Sequence, residues 1–198
     1  MKKLPFALMA LFASLLFFSS CEEDDDVPPE ENEEEIITDV VLTFTPQTGN
    51  VVTATAEDPD GEGPQDLQVD GDIVLAPNTT YTMSITLENS IANESITEEV
   101  EEEAEEHMFF FAWTDGLFSD PAGDGNIGAG QRADAVNYED PLDANGYPVG
   151  LETSWTTADT GNGTFRVILK HQPDIKSATS SSTDGESDVD LSWNISIQ

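Results

Sequence analysis

The chain has 198 residues and a formal charge of −35, from 41 acidic side chains against six basic ones. Such a surface repels nucleic acid and anionic lipid headgroups, which makes both poor partners for its body. It suits cations, basic partners or plain solubility. A single cysteine excludes an internal disulfide, so the fold must rest on its core and on any bound cation.

The chain begins with Lys2 and Lys3, an apolar stretch from Leu4 to Phe18, and then Ser19-Ser20-Cys21. A basic start, a short apolar core and two small residues make a cleaved export signal. The stretch is short of the ~20 apolar residues that a membrane-spanning helix needs. A cysteine directly after the small residues resembles the lipobox of bacterial lipoproteins, with Phe18 standing where a leucine is preferred. That resemblance implies cleavage before Cys21 and fatty acyl chains on its thiol and new amino group, hence a membrane partner reached through lipid. Two or more acyl chains hold stably, because each buried CH₂ contributes about 0.8 kcal/mol. Residues 1–20 are then a signal peptide, and loss of Lys2 and Lys3 takes the charge from −35 to −37. An ordinary soluble secretory signal is the other reading of the same stretch.

Glu22-Glu23-Asp24-Asp25-Asp26 resembles the acidic export tag of Bacteroidota lipoproteins displayed on the outer face of the outer membrane. The expected location is the outer membrane, lipid-anchored and facing the exterior; a periplasm-facing anchor is the other reading, with the acidic run as the start of a linker. Residues 21–35, almost all Glu and Asp around Pro28-Pro29, are too polar to order themselves and read as a disordered tether.

Period-two alternation dominates residues 36–198. Val40, Leu42 and Phe44 face one way, as do Tyr81, Met83, Ile85 and Leu87. Phe165, Val167 and Leu169 follow the same rule, and so do Val189, Leu191, Trp193, Ile195 and Ile197. Strands with one apolar face, separated by Gly, Asn and Asp turns, predict an all-β fold: an immunoglobulin-like antiparallel β-sandwich. One segment differs. Ser95-Ile96-Thr97-Glu98 is a capping box, and Ile96, Val100 and Ala104 form one helical stripe. This predicts one short acidic crossover helix. It leads into His107-Met108-Phe109-Phe110-Phe111-Ala112-Trp113, apolar on both faces and so expected as a central strand. Residues 115–131, rich in Gly and Asp, read as a long loop, a length usually linked to binding or mobility.

EEVEEEAEEHMFFF, LKHQP and GESDVDLSWNISIQ, together with DPDGEGP and LAPNTTYTMSITLEN, resemble a group of short flavobacterial lipoproteins over most of the mature chain. That group is often labelled a type 1 periplasmic binding fold, which would imply repeated βαβ units in two lobes. Strand alternation with a single helix implies a β-sandwich instead. The resemblance implies no activity.

Candidate sites are few. Asp58, Asp60, Glu62 and Asp66 offer oxygen ligands at the spacing that opens a calcium loop, with Gly63 at the sharp turn. The twelfth position holds Val69 where a bidentate Glu is usual. The other reading is a plain acidic turn. Asp120, Asp124 and Asn126 form a looser second set. His107 and His171, with Glu103 or Glu106, suit a transition metal, or the two imidazoles suit the axial positions of a haem, if the fold brings them together. Trp113, Tyr138, Tyr147 and Trp155 could line a sugar-binding face, although alternation favours core positions for Trp155 and Trp193. The sequence holds no free thiol nucleophile, GxSxG elbow, HExxH motif or phosphate loop. The expectation is a non-enzymatic binding or envelope protein, with calcium as its candidate cofactor. The alternatives are metal or haem capture and an accessory role on carbohydrate.

Overall fold

The computed structural model describes residues 35–61, 66–128 and 135–198. Alternation in the sequence becomes alternation in burial. In β1 (Asp39–Pro46) the side chains of Val40, Leu42 and Phe44 are fully buried while their neighbours reach outward. The same holds in β5 (Thr80–Glu88) for Tyr81, Met83, Ile85 and Leu87. These belong to a six-stranded sheet with β2 (Val52–Glu57), β3 (Gln68–Asp70), β7 (Phe118–Asp120) and β8 (Glu152–Thr157), in the order β3-β2-β1-β5-β8-β7. A four-stranded sheet, β4-β10-β9-β6, is built from β4 (Ile73–Leu75), β6 (His107–Trp113), β9 (Gly161–His171) and β10 (Glu186–Ile197). Pairing is antiparallel throughout except between β10 and β4.

The inner faces of the two sheets share one core, so the fold is an all-β sandwich. With six and four strands it is larger than the seven-stranded constant-type immunoglobulin arrangement. Trp155 anchors one end of the core, with Trp113 edge-on at 5.0 Å and Phe165 at 5.1 Å. Edge-on aromatic pairs contribute about 0.5–1.5 kcal/mol beyond their buried area. Trp193 Nε1 on β10 donates to the Thr55 carbonyl of β2 at 3.1 Å, a hydrogen bond from one sheet to the other.

The helix α1 (Ile96–Glu102) crosses from β5 in one sheet to β6 in the other. Ser95 Oγ accepts from the Glu98 amide at 3.4 Å, as the capping box predicts, and Ile96 and Val100 are buried. Its glutamate face meets solvent. Like charges three and four residues apart weaken a helix, and this one stops after seven residues. Among the described residues no helix is long and apolar enough to cross a membrane.

Strand β6 corrects one expectation. It is buried on both faces, but it is an edge strand rather than a central one. The loop after β7 covers its outer face, packing Ile127 and Tyr138 on Met108, Phe110 and Ile168. The same loop supplies the missing edge partners. Phe111 N donates to Asn126 Oδ1 at 2.8 Å, Asn126 N donates to the Phe111 carbonyl at 2.8 Å, and Trp113 N donates to the Asp124 carbonyl at 3.1 Å. Such close backbone approach requires glycine at position 125, where φ is +108° and a Cβ would sit 2.2 Å from the Phe111 carbonyl oxygen. The segment expected as one long loop thus contains β7 and a covering segment; residues 129–134 lie outside the described residues.

A candidate metal centre at one pole of the sandwich

His107 opens β6 and His171 closes β9. By period two, His107 shares the inner face of Phe109, Phe111 and Trp113, and His171 that of Phe165, Val167 and Leu169. The β6–β9 register then sets them directly opposite each other. Their rings stack at 4.5 Å between centroids, with planes 9° apart. Both are buried, His107 completely.

Carboxylates close around this pair. Glu35, which the sequence places at the end of the tether, is the first described residue, and its side chain is only 6% exposed. Its Oε1 lies 2.9 Å from His107 Nε2. Its Oε2 is buried with no hydrogen-bond partner among the described residues. The turn after α1 brings Glu103 Oε2 to 3.8 Å from His107 Nδ1 and Glu106 Oε2 to 3.3 Å from His171 Nε2. That turn is held by the Glu103 carbonyl, which accepts from Glu106 N at 2.9 Å and His107 N at 3.2 Å.

Burial alone would raise the Glu35 carboxyl and lower the His107 imidazolium. Burial is the largest single effect on each, but their mutual contact together with neighbouring charges and backbone hydrogen bonds outweighs it. Glu35 is held below the ordinary carboxylate range and His107 above the ordinary imidazole range.

Glu35, Glu103, His107 and His171 each offer one ligand atom, and these four atoms lie within 4.8 Å of one another. Bonds of about 2.0 Å to a tetrahedral ion would put ligand atoms roughly 3.3 Å apart. Shifts of about an ångström or less at each side chain would therefore close the four around an ion. His107 Nδ1 also lies 3.3 Å from the Glu103 carbonyl. An Nδ1–H donated to a carbonyl directs Nε2 to a metal, the usual outer-shell support of a histidine ligand. Two imidazoles and carboxylates without a thiolate suit a divalent first-row ion.

The haem alternative does not fit this arrangement. Axial imidazoles approach an iron from opposite sides of the macrocycle, whereas these rings lie face to face. The sugar-binding face loses its main members too. Trp113 and Trp155 are 3% and 0% exposed, and the Tyr138 hydroxyl donates to the Phe109 carbonyl at 2.8 Å.

The acidic loop behaves differently. Asp58 Oδ1 accepts from the amides of Asp60 at 3.0 Å and Gly61 at 3.1 Å, so this carboxylate caps its own turn. The positive φ falls on Gly61 at +61°. Glu62 and Gly63 lie outside the described residues, and Asp66 is exposed. In the second set, Asp120 Oδ1 accepts from Asn137 Nδ2 at 2.9 Å. Asn126 is fully buried, with its oxygen taken by Phe111 N and its amide nitrogen donating to Tyr138 Oη at 2.8 Å. Asn126 pins the covering loop rather than facing a cation.

Sequence reasoning gave the two histidines and the two helix-end glutamates, but not Glu35. Nothing local marks one glutamate in an acidic run. The available signal was its position two residues before Ile37, whose burial begins the sandwich. No family model, curated protein or solved structure matches this chain.

Proposed function

We propose that this chain is a lipid-anchored outer-membrane protein, displayed on the cell surface, whose sandwich holds a divalent transition-metal ion between Glu35, Glu103, His107 and His171. It acts by binding, not by catalysis. The observation that carries the reading is the buried histidine pair beside a carboxylate oxygen, Glu35 Oε2, that has no hydrogen-bond partner among the described residues. Desolvating such a group without a partner costs about 1–3 kcal/mol, more when it is charged. An ion in the centre would offset that cost. The export signal and Cys21 support the anchor, and Glu22 to Asp26 support display.

Titration of the chelator-treated protein with Zn(II) or Co(II) tests the centre. One ion per chain is expected in wild type, with affinity falling at least tenfold in His107→Ala and in His171→Ala. Equal affinity in all three proteins would reduce the cluster to an ion-pair network that closes the pole. Mass spectrometry of the native product tests the anchor, and an unmodified Cys21 or a retained leader would remove it.

A further inference from the structure

Strands β5 and β8 run side by side only as far as Ser84 and Glu152. β5 continues on β1 to Glu88, while the chain before β8 turns away toward the other sheet, where the Val149 carbonyl accepts from Phe109 N at 2.6 Å. The free edge of β5 needs another partner for its backbone, and α1 supplies it. Thr97 Oγ1 accepts from Leu87 N at 2.7 Å and donates to the Leu87 carbonyl at 3.0 Å. Between the helix, the free edge and the departing loop lies an open cavity of about 470 Å³. That falls within the roughly 300–1,000 Å³ of small-molecule sites. Its apolar wall is made by Ile85, Val149 and Leu151, all buried, and by Leu142, which is 62% exposed. The acidic groups around it are of two kinds. Asp140 and Asp143 are engaged within the fold: Asp140 Oδ2 accepts from the Val149 amide at 2.9 Å and the Gly150 amide at 3.0 Å, and Asp143 pairs with Lys176 at 2.9 Å. Glu101 of α1 and Glu152 of β8 also line the cavity, but both are exposed, and among the described residues neither forms an ion pair.

We infer that this cavity is a binding site for a small organic cation with an apolar body, an alkylammonium or arylammonium. It is separate from the metal centre, since none of the four metal-site residues lines it. The apolar body takes Ile85, Val149, Leu151 and Leu142 out of water, and the ammonium meets the carboxylates of Glu101 and Glu152. Apolar burial supplies the affinity, and opposite charge supplies the selection. An anion of the same shape meets two uncompensated carboxylates and is repelled. A neutral molecule of that shape binds by apolar contact alone. A cation without an apolar body is held no better here than elsewhere on a chain with 41 acidic residues.

The probe is n-hexylammonium, titrated against the full chain without added metal and followed by NMR, beside methylammonium, hexanol and hexanoate. Wild type should bind one hexylammonium per chain, with the largest shifts at the amides around Ile85 and Val149. Its affinity should exceed that for each of the other three by about tenfold, and should fall as salt rises. The double variant Glu101→Gln, Glu152→Gln should lose about fivefold or more in hexylammonium affinity. Ser84→Phe, which adds a ring to the wall of the same cavity, should weaken binding without changing the charge. Urea midpoints check that both proteins are folded, and the exposed glutamate pair carries the test by itself if Ser84→Phe is not. Methylammonium bound as tightly as hexylammonium would mean diffuse attraction to an acidic surface and would overturn the site. So would hexylammonium affinity unchanged in the double glutamine variant, or no hexylammonium binding at all. None of these results bears on the metal centre, which is titrated separately.

Discussion

Lys176 and Asp143 form an ion pair of 2.9 Å with side chains 1% and 0% exposed. Asp143 also accepts from the amides of Asn145 at 2.9 Å and Tyr147 at 2.8 Å, and Lys176 Nζ donates to the Ala104 carbonyl at 2.5 Å. One pair of charges therefore joins three segments that are far apart in sequence: the turn after α1, the loop before β8 and the loop after β9. Two of the three, the turn after α1 and the loop after β9, adjoin elements that carry the histidine cluster. Removing one partner of a buried pair leaves the other charge uncompensated. Lys176→Met should cost about 3–5 kcal/mol in urea denaturation. Adding Asp143→Asn, which keeps an acceptor for both amides, should recover part of that loss. A double variant as unstable as the single would mean that the charge is not what matters here.

The same pair sets an acid limit. Burial would raise the Asp143 carboxyl, but the Tyr147 amide, Lys176 and the Asn145 amide together hold it below the ordinary range. A depressed acid contributes stability that is complete above its unfolded pKa, about 3.9, and is lost as pH falls through its folded value. The stability gap between wild type and Asp143→Asn should be constant from about pH 7 to 5 and narrow below about pH 4. Urea midpoints at fixed ionic strength check this, and a gap that widens toward low pH would give the wrong sign.

Asn126 should be among the most sensitive polar positions. It is fully buried and supplies the acceptor for the Phe111 amide on the open edge of β6. Asn126→Ala orphans that donor and withdraws a hydrogen bond from Tyr138. The expected loss is roughly 2–3 kcal/mol, measured by denaturation. Amide exchange at Phe111 should also rise, since its acceptor is gone. A loss under about 0.5 kcal/mol would show that water replaces the asparagine at no cost.

Metal should stabilise the sandwich. At a hundredfold excess over Kd, binding adds about 2.7 kcal/mol. For a domain of this size that raises Tm by roughly 5–10 °C. Differential scanning calorimetry with Zn(II) and then with chelator reads the shift. Glu35→Gln should shrink it, because an amide is a weaker ligand than a carboxylate. An equal shift in both proteins would place Glu35 outside the coordination sphere.

Gly185 holds the approach to His171. Its φ is +74°, and a Cβ there would lie 2.0 Å from the His171 carbonyl oxygen. Gly185→Ala should therefore destabilise by about 1–3 kcal/mol and weaken metal binding as β9 is displaced. Full metal affinity in a folded Gly185→Ala protein would separate the glycine from the centre.

Much of the sandwich was legible from local pattern. Strands β1, β5, β9 and β10 alternate so regularly that each inner face could be named residue by residue, because side-chain direction in a strand depends only on the neighbouring residues. The helix was legible for a similar reason: Ser95, Glu98 and the stripe of Ile96 and Val100 all act within one or two turns. The short strands β3, β4 and β7, with three residues each, were not. They owe their conformation to pairing with another strand rather than to their own propensity. The edge position of β6 was hidden likewise, since burial on both faces is the same signal whether a strand or a loop provides the cover.

By itself the sequence determined the acidic body, the alternating faces, and the placing of the two histidines at strand ends. Each is a property of residues close together in the chain. Only the tertiary structure decided that His107 stands against His171 and that Glu35 is drawn in beside them. Strand register and sheet packing bring together residues far apart along the chain, and no local preference records which ones will meet.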